Sequence, residues 1–213
     1  MADATDILVI SAHPQMELSR VTRRLHAAAG QAARAEVRDL YTLYPDYLID
    51  VAAEQAALAR AQLVVWMHPI HWYNMPPLMK LWVDEVFAYG WAYGPGGTAL
   101  QGKDLWLVAS TGGPEDSYQA SGYNRYHFDA FMPPYEQTAT LCGMRFLPPM
   151  VLHGAHRTTV NELDVQAAML AERLATYPDW PELEGLEGCL ACVVPTSARP
   201  PSAATAEQPV ESA

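Results

Sequence analysis

Short apolar runs alternate along the chain with longer segments whose apolar residues recur every three to four positions. The runs predict buried strands at residues 6–10, 35–40, 63–67, 105–110 and 144–152. The helical spacing predicts helices at residues 21–32, 50–60, 78–87, 135–142 and 160–175. Pro148 and Pro149 interrupt the last strand, and residues 41–47, 88–98 and 115–131 are predicted loops.

Strands that alternate with helices indicate βαβ units and a parallel sheet covered by helices on both faces. Five strands fit a three-layer α/β sandwich of strand order 2-1-3-4-5. We expect this domain to span residues 1–176. Residues 177–213 form an extension rich in Pro, Ala and Glu, and we expect disorder from about residue 195 because large apolar residues become scarce.

Three segments leave the carboxyl ends of the strands nearest the switch point of this strand order. They are residues 11–22, 68–75 and 111–114. In open α/β sheets the ligand lies beyond these strand ends, so the three segments are expected to line one cleft.

Each segment has both a structural and a functional interpretation. Ser19 fits the N-cap of an ordinary helix, although the first-turn N–H groups and the helix dipole also suit a phosphate. Trp72 and Tyr73 fit either the core or a flat wall for a ring system. Gly112 and Gly113 fit a simple turn, or a place where the backbone approaches a ring closely.

Composition narrows the function classes. The chain has 24 acidic and 13 basic residues and a formal charge of −11, which argues against binding nucleic acid or an anionic membrane. The first ten residues lack the basic flank of a signal peptide, and no apolar run reaches the roughly 20 residues of a membrane span. Three cysteines without an export signal favour a reducing compartment, so we expect a cytoplasmic protein.

Several short motifs are set aside. The glycine-rich residues 94–99 imitate a dinucleotide fingerprint but follow no strand. Cys189 and Cys192 have the spacing of a redox or zinc pair without a second pair. The two His-x-x-His pairs, at residues 68–71 and 153–156, lack partner ligands at metal spacing, so we predict no metal site.

Taken together, the motifs resemble those of the NAD(P)H:quinone oxidoreductase family, and most closely its glutathione-regulated potassium-efflux ancillary flavoproteins. The resemblance covers about residues 7–174. It is carried by residues 13–14 with 19–22, 39–46, 53–55, 68–73 with 76–77, 90–94 with 102–103, and 111–113. It implies a flavodoxin-like fold, bound FMN with FAD as the alternative, and a homodimer whose pocket lies near the subunit interface. It also implies two-electron reduction of a quinone by NAD(P)H.

The resemblance also assigns residues. The phosphate-bearing chain of the flavin would be held by His13, Ser19, Arg20, Val21 and Thr22, where Thr22 replaces the asparagine usual in the family. The ring would be lined by Pro69, Ile70, His71, Trp72, Tyr73, Thr111, Gly112, Gly113 and Pro114. Tyr118 and His127 are the candidate catalytic residues at the quinone end.

Two other functions remain open. The chain could be a regulatory subunit that binds and activates a potassium-efflux transporter, for which an acidic surface would suit a basic partner domain. It could also be a one-electron flavodoxin-type carrier. The loops at residues 90–100 and 115–131 favour the oxidoreductase over the carrier, because they are long enough to wall a substrate pocket.

Overall fold

Five parallel strand positions form the centre of the protein. In the computed structural model, which describes residues 5–186, the strands are β1 (Ile7–Ser11), β2 (Ala35–Asp39), β3 (Leu63–Pro69), β4 (Asp104–Ser110), β5 (Arg145–Phe146) and β6 (Met150–Leu152). The sheet order is β2-β1-β3-β4-β5, and β6 also pairs with β4. The predicted flavodoxin-like α/β fold is therefore confirmed, with its fifth strand split at Pro148 and Pro149 as the sequence indicated.

Helices connect the strands and cover both faces of the sheet. They are α1 (Val21–Ala29), α2 (Leu40–Leu43), α3 (Val51–Arg60), α4 (Pro77–Val86), α5 (Pro133–Leu141) and α6 (Val160–Thr176). Single 3₁₀ turns occur at Met16–Leu18, Glu115–Ser117, Phe128–Phe131 and Pro181–Leu183. Within the described residues, no helix is both long enough and apolar enough to cross a membrane.

Two local predictions need correction. The stretch after β2 was predicted to be a loop, but it begins with the short helix α2, because the Asp39 side chain caps it by accepting from the Tyr41 N–H group at 3.2 Å. The first long helix begins at Val21 as predicted, but it ends at Ala29 and its N-cap position is Arg20, not Ser19. The Ser19 side chain nevertheless caps the helix, since its Oγ accepts from the Thr22 N–H group at 3.1 Å.

The central strands are buried on both faces, and the apolar core divides into one cluster on each side of the sheet. Packed structure continues past residue 176, where Tyr177, Trp180 and Leu183 are buried in the cluster beside α1 and α6. The Tyr177 hydroxyl donates to Asp104 Oδ2 at 2.8 Å. Cys189, Cys192 and the tail predicted from residue 195 lie outside the described residues.

A buried carboxylate fixes the helix that borders the candidate site. Glu54 of α3 is fully buried and accepts from Arg38 Nε at 2.9 Å and from Trp82 Nε1 at 2.9 Å. The Tyr44 hydroxyl also donates to it. Because Trp82 belongs to α4, this network sets the position of the helix whose first residue, Pro77, reaches the site.

Candidate flavin site

A cavity of about 1020 Å³ lies beyond the carboxyl ends of β1, β3 and β4. Its lining comes from the three segments that the sequence singled out, together with a fourth that follows β6. The lining residues are His13, Gln15, Leu18, Ser19, Arg20, Val21, Pro69, Ile70, His71, Trp72, Pro77, Ser110, Thr111, Gly112, Ala155 and His156. The parallel register places these strand ends at one edge of the sheet, so segments distant in sequence share one cleft.

The N-terminus of α1 forms one end of the cavity. Ser19, Arg20 and Val21 line it, whereas Thr22 is buried behind them and donates its N–H group to Ser19 Oγ at 3.1 Å. The first N–H groups of a helix lack intrahelical partners and carry a partial positive charge. Arg20 adds a guanidinium, which donates to the Thr158 carbonyl at 2.9 Å. This end is suited to a phosphate.

Two histidine rings meet at the adjoining wall, where the centroids of His13 and His71 are 6.2 Å apart. Burial lowers the pKa of each ring below its ordinary value, and the neighbouring His71 lowers that of His13 further. His13 Nδ1 accepts from the Gln15 N–H group at 3.1 Å. The neutral ring therefore carries its proton on Nε2, which is left as a donor.

The aromatic hairpin, residues 71–74, forms the second wall. The His71 N–H group donates to the Asn74 carbonyl at 2.8 Å, and the Asn74 N–H group donates back at 3.0 Å. Trp72 and Tyr73 at the tip both have positive φ, 49° and 64°. A two-residue hairpin turn of this kind requires a positive φ at both central residues, which costs an aromatic residue roughly 1–2 kcal/mol at each position.

Exposure decides between the two interpretations of Trp72. Its side chain is 93% exposed, so it is not a core residue. Tyr73 is 46% exposed and stacks on Phe131 with ring centroids 5.0 Å apart, outside the cavity lining. Of the two, Trp72 presents the flat surface beside the cavity.

The Thr-Gly-Gly-Pro segment is divided between the cavity and the packing behind it. Thr111 and Gly112 line the cavity, whereas Gly113 and Pro114 do not. A Cβ on Gly113 would lie 2.6 Å from the Tyr123 hydroxyl and 2.7 Å from Ser117 Oγ, so a larger residue there would displace these side chains of the loop. A Cβ on Gly112 would lie 3.3 Å from the His156 ring, a cavity residue. The two glycines therefore have different roles.

Tyr118 and His127 face a different space, the Tyr118 cavity, which has a volume of about 470 Å³. Its lining is Glu115, Tyr118, Gln119, His127, Phe128, Asp129, Pro149, Val151 and His153. Tyr118 is buried, and the centroid of its ring is 5.2 Å from the centroid of the His153 ring. Burial raises the pKa of the Tyr118 phenol, with the Thr111 hydroxyl opposing that effect. The phenol therefore keeps its proton at neutral pH.

Several lining residues were not predicted from the sequence. Gln15 and Leu18 lie in the loop between β1 and α1. The sequence predicted site residues only at the two ends of this loop. Ala155 and His156 follow β6. The short strand itself could have indicated them, because its carboxyl end lies at the same edge of the sheet as those of β1, β3 and β4. Within residues 5–186, no group of three or more His, Cys, Asp or Glu side chains is placed to hold a metal ion.

These features fit FMN. The cavity has about the size of small-molecule sites, roughly 300–1,000 Å³. Its lining includes a helix N-terminus with a guanidinium, the backbone of Thr111 and Gly112, and an exposed indole. The first suits a phosphate, and the other two suit a planar ring.

Comparison with known proteins identifies the family of the chain. A family described by its flavodoxin-like fold matches residues 5–175, and the chain belongs to this family. The glutathione-regulated potassium-efflux system ancillary protein KefF of Klebsiella pneumoniae (strain 342) is 46% identical over 176 residues, 83% of this chain and 97% of that protein. The resemblance stated from the sequence is thus confirmed.

Two solved structures are also similar. General stress protein 14 of Treponema denticola, in complex with FMN, is 38% identical with a TM-score of 0.74, covering 79% of this chain and 97% of that chain. An NADPH-quinone reductase from P. pentosaceus is 26% identical with a TM-score of 0.73, covering 81% of this chain and 98% of that chain.

Proposed function

We propose that the protein is an FMN-dependent NAD(P)H:quinone oxidoreductase. The observation that carries the proposal is the cavity in which a helix N-terminus, a strained aromatic hairpin and the Thr111–Gly112 backbone converge. The similar proteins support it, since one contains FMN and another is named an NADPH-quinone reductase. When bound, FMN would supply hydride acceptance from NAD(P)H and hydride donation to a quinone.

The residues of the chain would bind and orient this group. His13, Ser19, Arg20, Val21 and Thr22 are assigned to the phosphate-bearing chain. Residues 69–73 and 111–114 are assigned to the flavin ring. Of these, Tyr73, Gly113 and Pro114 do not line the cavity and would support the residues that do. Because no backbone bond within the described residues uses the Trp72 N–H group, it remains available to a ligand at the hairpin tip.

Tyr118 and His127 are assigned to the quinone end. The phenol of Tyr118 stays protonated at neutral pH because burial raises its pKa, so it can donate a hydrogen bond to a quinone oxygen as negative charge develops there. We assign the supply of a proton to His127, which lines the same cavity.

The exposed aromatic residues around the site support a homodimer. Trp72, Tyr73, Tyr123 and Tyr126 are all exposed on the loops that border it. Large apolar side chains clustered at a surface mark interaction sites, and a second subunit would close the pocket against water.

The acidic chain without a membrane-spanning helix in its described residues is assigned to the cytoplasm.

Purification with and without added FMN tests this function. We expect visible flavin absorption, loss of that absorption when NAD(P)H is added without oxygen, and its return when a quinone follows. A protein that takes up no FMN would refute the proposal. Reduction that requires a separate reductase would favour the one-electron carrier instead.

A second function is favoured by one specific observation, the 46% identity to a potassium-efflux ancillary protein over 97% of its length. We propose that the same chain also binds and activates a potassium-efflux transporter. Its charge of −11 would attract a basic cytoplasmic surface. Pull-down with the candidate transporter at low and high salt tests this, and an absence of binding at both salt concentrations would exclude it.

A further inference from the structure

His153 contacts residues of both the flavin cavity and the Tyr118 cavity. It lines the Tyr118 cavity, where its ring lies 5.2 Å from the ring of Tyr118 and 5.1 Å from that of Phe128. Its Nδ1 atom is 3.0 Å from Oγ1 of Thr111, which lines the flavin cavity. His127 has no side-chain hydrogen bond or ring contact within residues 5–186, although it lines the same cavity as Tyr118.

The hydrogen bonds of Thr111 fix the proton on this histidine. The Thr111 hydroxyl donates to the Gly113 carbonyl at 2.7 Å, and a carbonyl oxygen can only accept. A hydroxyl has a single proton, so Thr111 Oγ1 must be the acceptor toward His153. The Nδ1 atom of His153 therefore carries a hydrogen, and in the neutral ring Nε2 is unprotonated.

This side-chain bond completes a clamp on the Thr111 segment. The Thr111 N–H group donates to the Leu152 carbonyl at 2.9 Å, and the Thr111 carbonyl accepts from Ala155 at 2.8 Å. The backbone is thus tied to the chain around β6, while the direction of the Thr111 side chain is set by its contacts with His153, Gly113 and the Tyr118 hydroxyl. Thr111 itself lines the cavity assigned to the flavin.

We propose that His153 is a positioning residue of the candidate active site. Through Nδ1–H it holds Thr111 in place at the flavin wall, and its ring supports Tyr118 on the quinone side. The functional part of this inference rests on the proposed FMN site, whereas the proton assignment depends on this chain alone. His153 also lines a cavity of about 370 Å³ between β6 and the start of α6. The ionisable groups that share this cavity or the Tyr118 cavity with His153 are Glu115, Tyr118, His127, Asp129, Arg157 and Glu162.

Nitrogen-15 NMR of the full-length protein tests the proton assignment without any flavin. His153 is identified as the ring whose signals disappear in His153→Asn. We expect its Nδ1 to stay in the protonated range across a pH titration while only Nε2 gains a proton. Thr111→Val should remove this preference, since valine has no acceptor. A neutral ring protonated on Nε2 would overturn the inference.

FMN binding tests the positioning role. An asparagine amide nitrogen can take the place of Nδ1, so His153→Asn should keep the dissociation constant for FMN within about twofold of wild type. His153→Leu removes the donor and should raise it about tenfold, as the loss of one buried hydrogen bond would. Gln119→Leu, a polar-to-apolar change in the Tyr118 cavity, is the matched control and should leave it unchanged.

Each outcome has one meaning. Equal FMN affinity in His153→Leu and wild type would overturn the positioning role, and so would equal losses in the Asn and Leu variants. If the Leu variant does not fold, the Asn variant together with the NMR titration decides. A wild-type protein that binds no FMN would refute the proposed function, and the NMR result would still stand or fall on its own.

Discussion

Replacement of Trp72 by alanine tests whether this residue contacts the flavin or stabilises the fold. Since its side chain is 93% exposed, truncation removes little buried apolar surface and should change the free energy of unfolding by less than about 0.5 kcal/mol. If the indole covers one edge of the flavin, the same truncation removes an aromatic contact and its buried area, together about 2 kcal/mol. That corresponds to roughly 30-fold weaker FMN binding.

Two measurements on the same protein preparation test this. Urea denaturation reports folding stability, and quenching of FMN fluorescence reports affinity. Leu48→Ala is the control, because Leu48 is an exposed large apolar residue outside both cavity linings and is not among the aromatic residues assigned to the dimer. A loss of 3 kcal/mol or more in stability, of the size seen for a buried aromatic residue, with unchanged FMN affinity would refute the assignment.

Three further predictions concern buried groups, and urea denaturation checks each. Glu54→Ala should lower stability by about 3–5 kcal/mol because it leaves Arg38 without its buried carboxylate, and an effect below about 1 kcal/mol would contradict that role. Burial lowers the pKa of His68 to about 4, so the unfolded chain takes up a proton first as the pH falls below about 6.5. Stability should then fall between pH 6.5 and 4, with up to about 3 kcal/mol of the loss due to His68, and His68→Leu should remove that part while the smaller contributions of His13 and His71 remain. Gly113→Ala should cost about 1–3 kcal/mol because its Cβ would lie 2.6 Å from the Tyr123 hydroxyl and 2.7 Å from Ser117 Oγ, and a change below about 0.5 kcal/mol would contradict that packing role.

The sheet could be predicted because its strands are buried on both faces, which gives continuous apolar runs such as residues 63–67. The break in the last strand was also visible, since proline cannot donate a ladder hydrogen bond. The short helix after Asp39 was missed because a four-residue helix has too few turns to show a periodic pattern.

The site was predictable wherever a residue directly follows a strand. His13, His71, Thr111 and Gly112 lie at the expected edge for this reason. The role of His153 could not be read from the sequence, because it depends on which residue the short strand β6 brings beside Thr111. The strain at Trp72 was equally invisible, since a positive φ on an aromatic residue has no signature in composition.

Anaerobic titration of the FMN-loaded protein is the measurement that tests the central claim most directly. One FMN per chain, bleached by NAD(P)H alone and restored by a stoichiometric amount of quinone, is the result expected if the cavity at the strand ends binds the flavin and both substrates reach the flavin in turn. A chain that binds no FMN, or a bound FMN that NAD(P)H cannot reduce without a second protein, would contradict it.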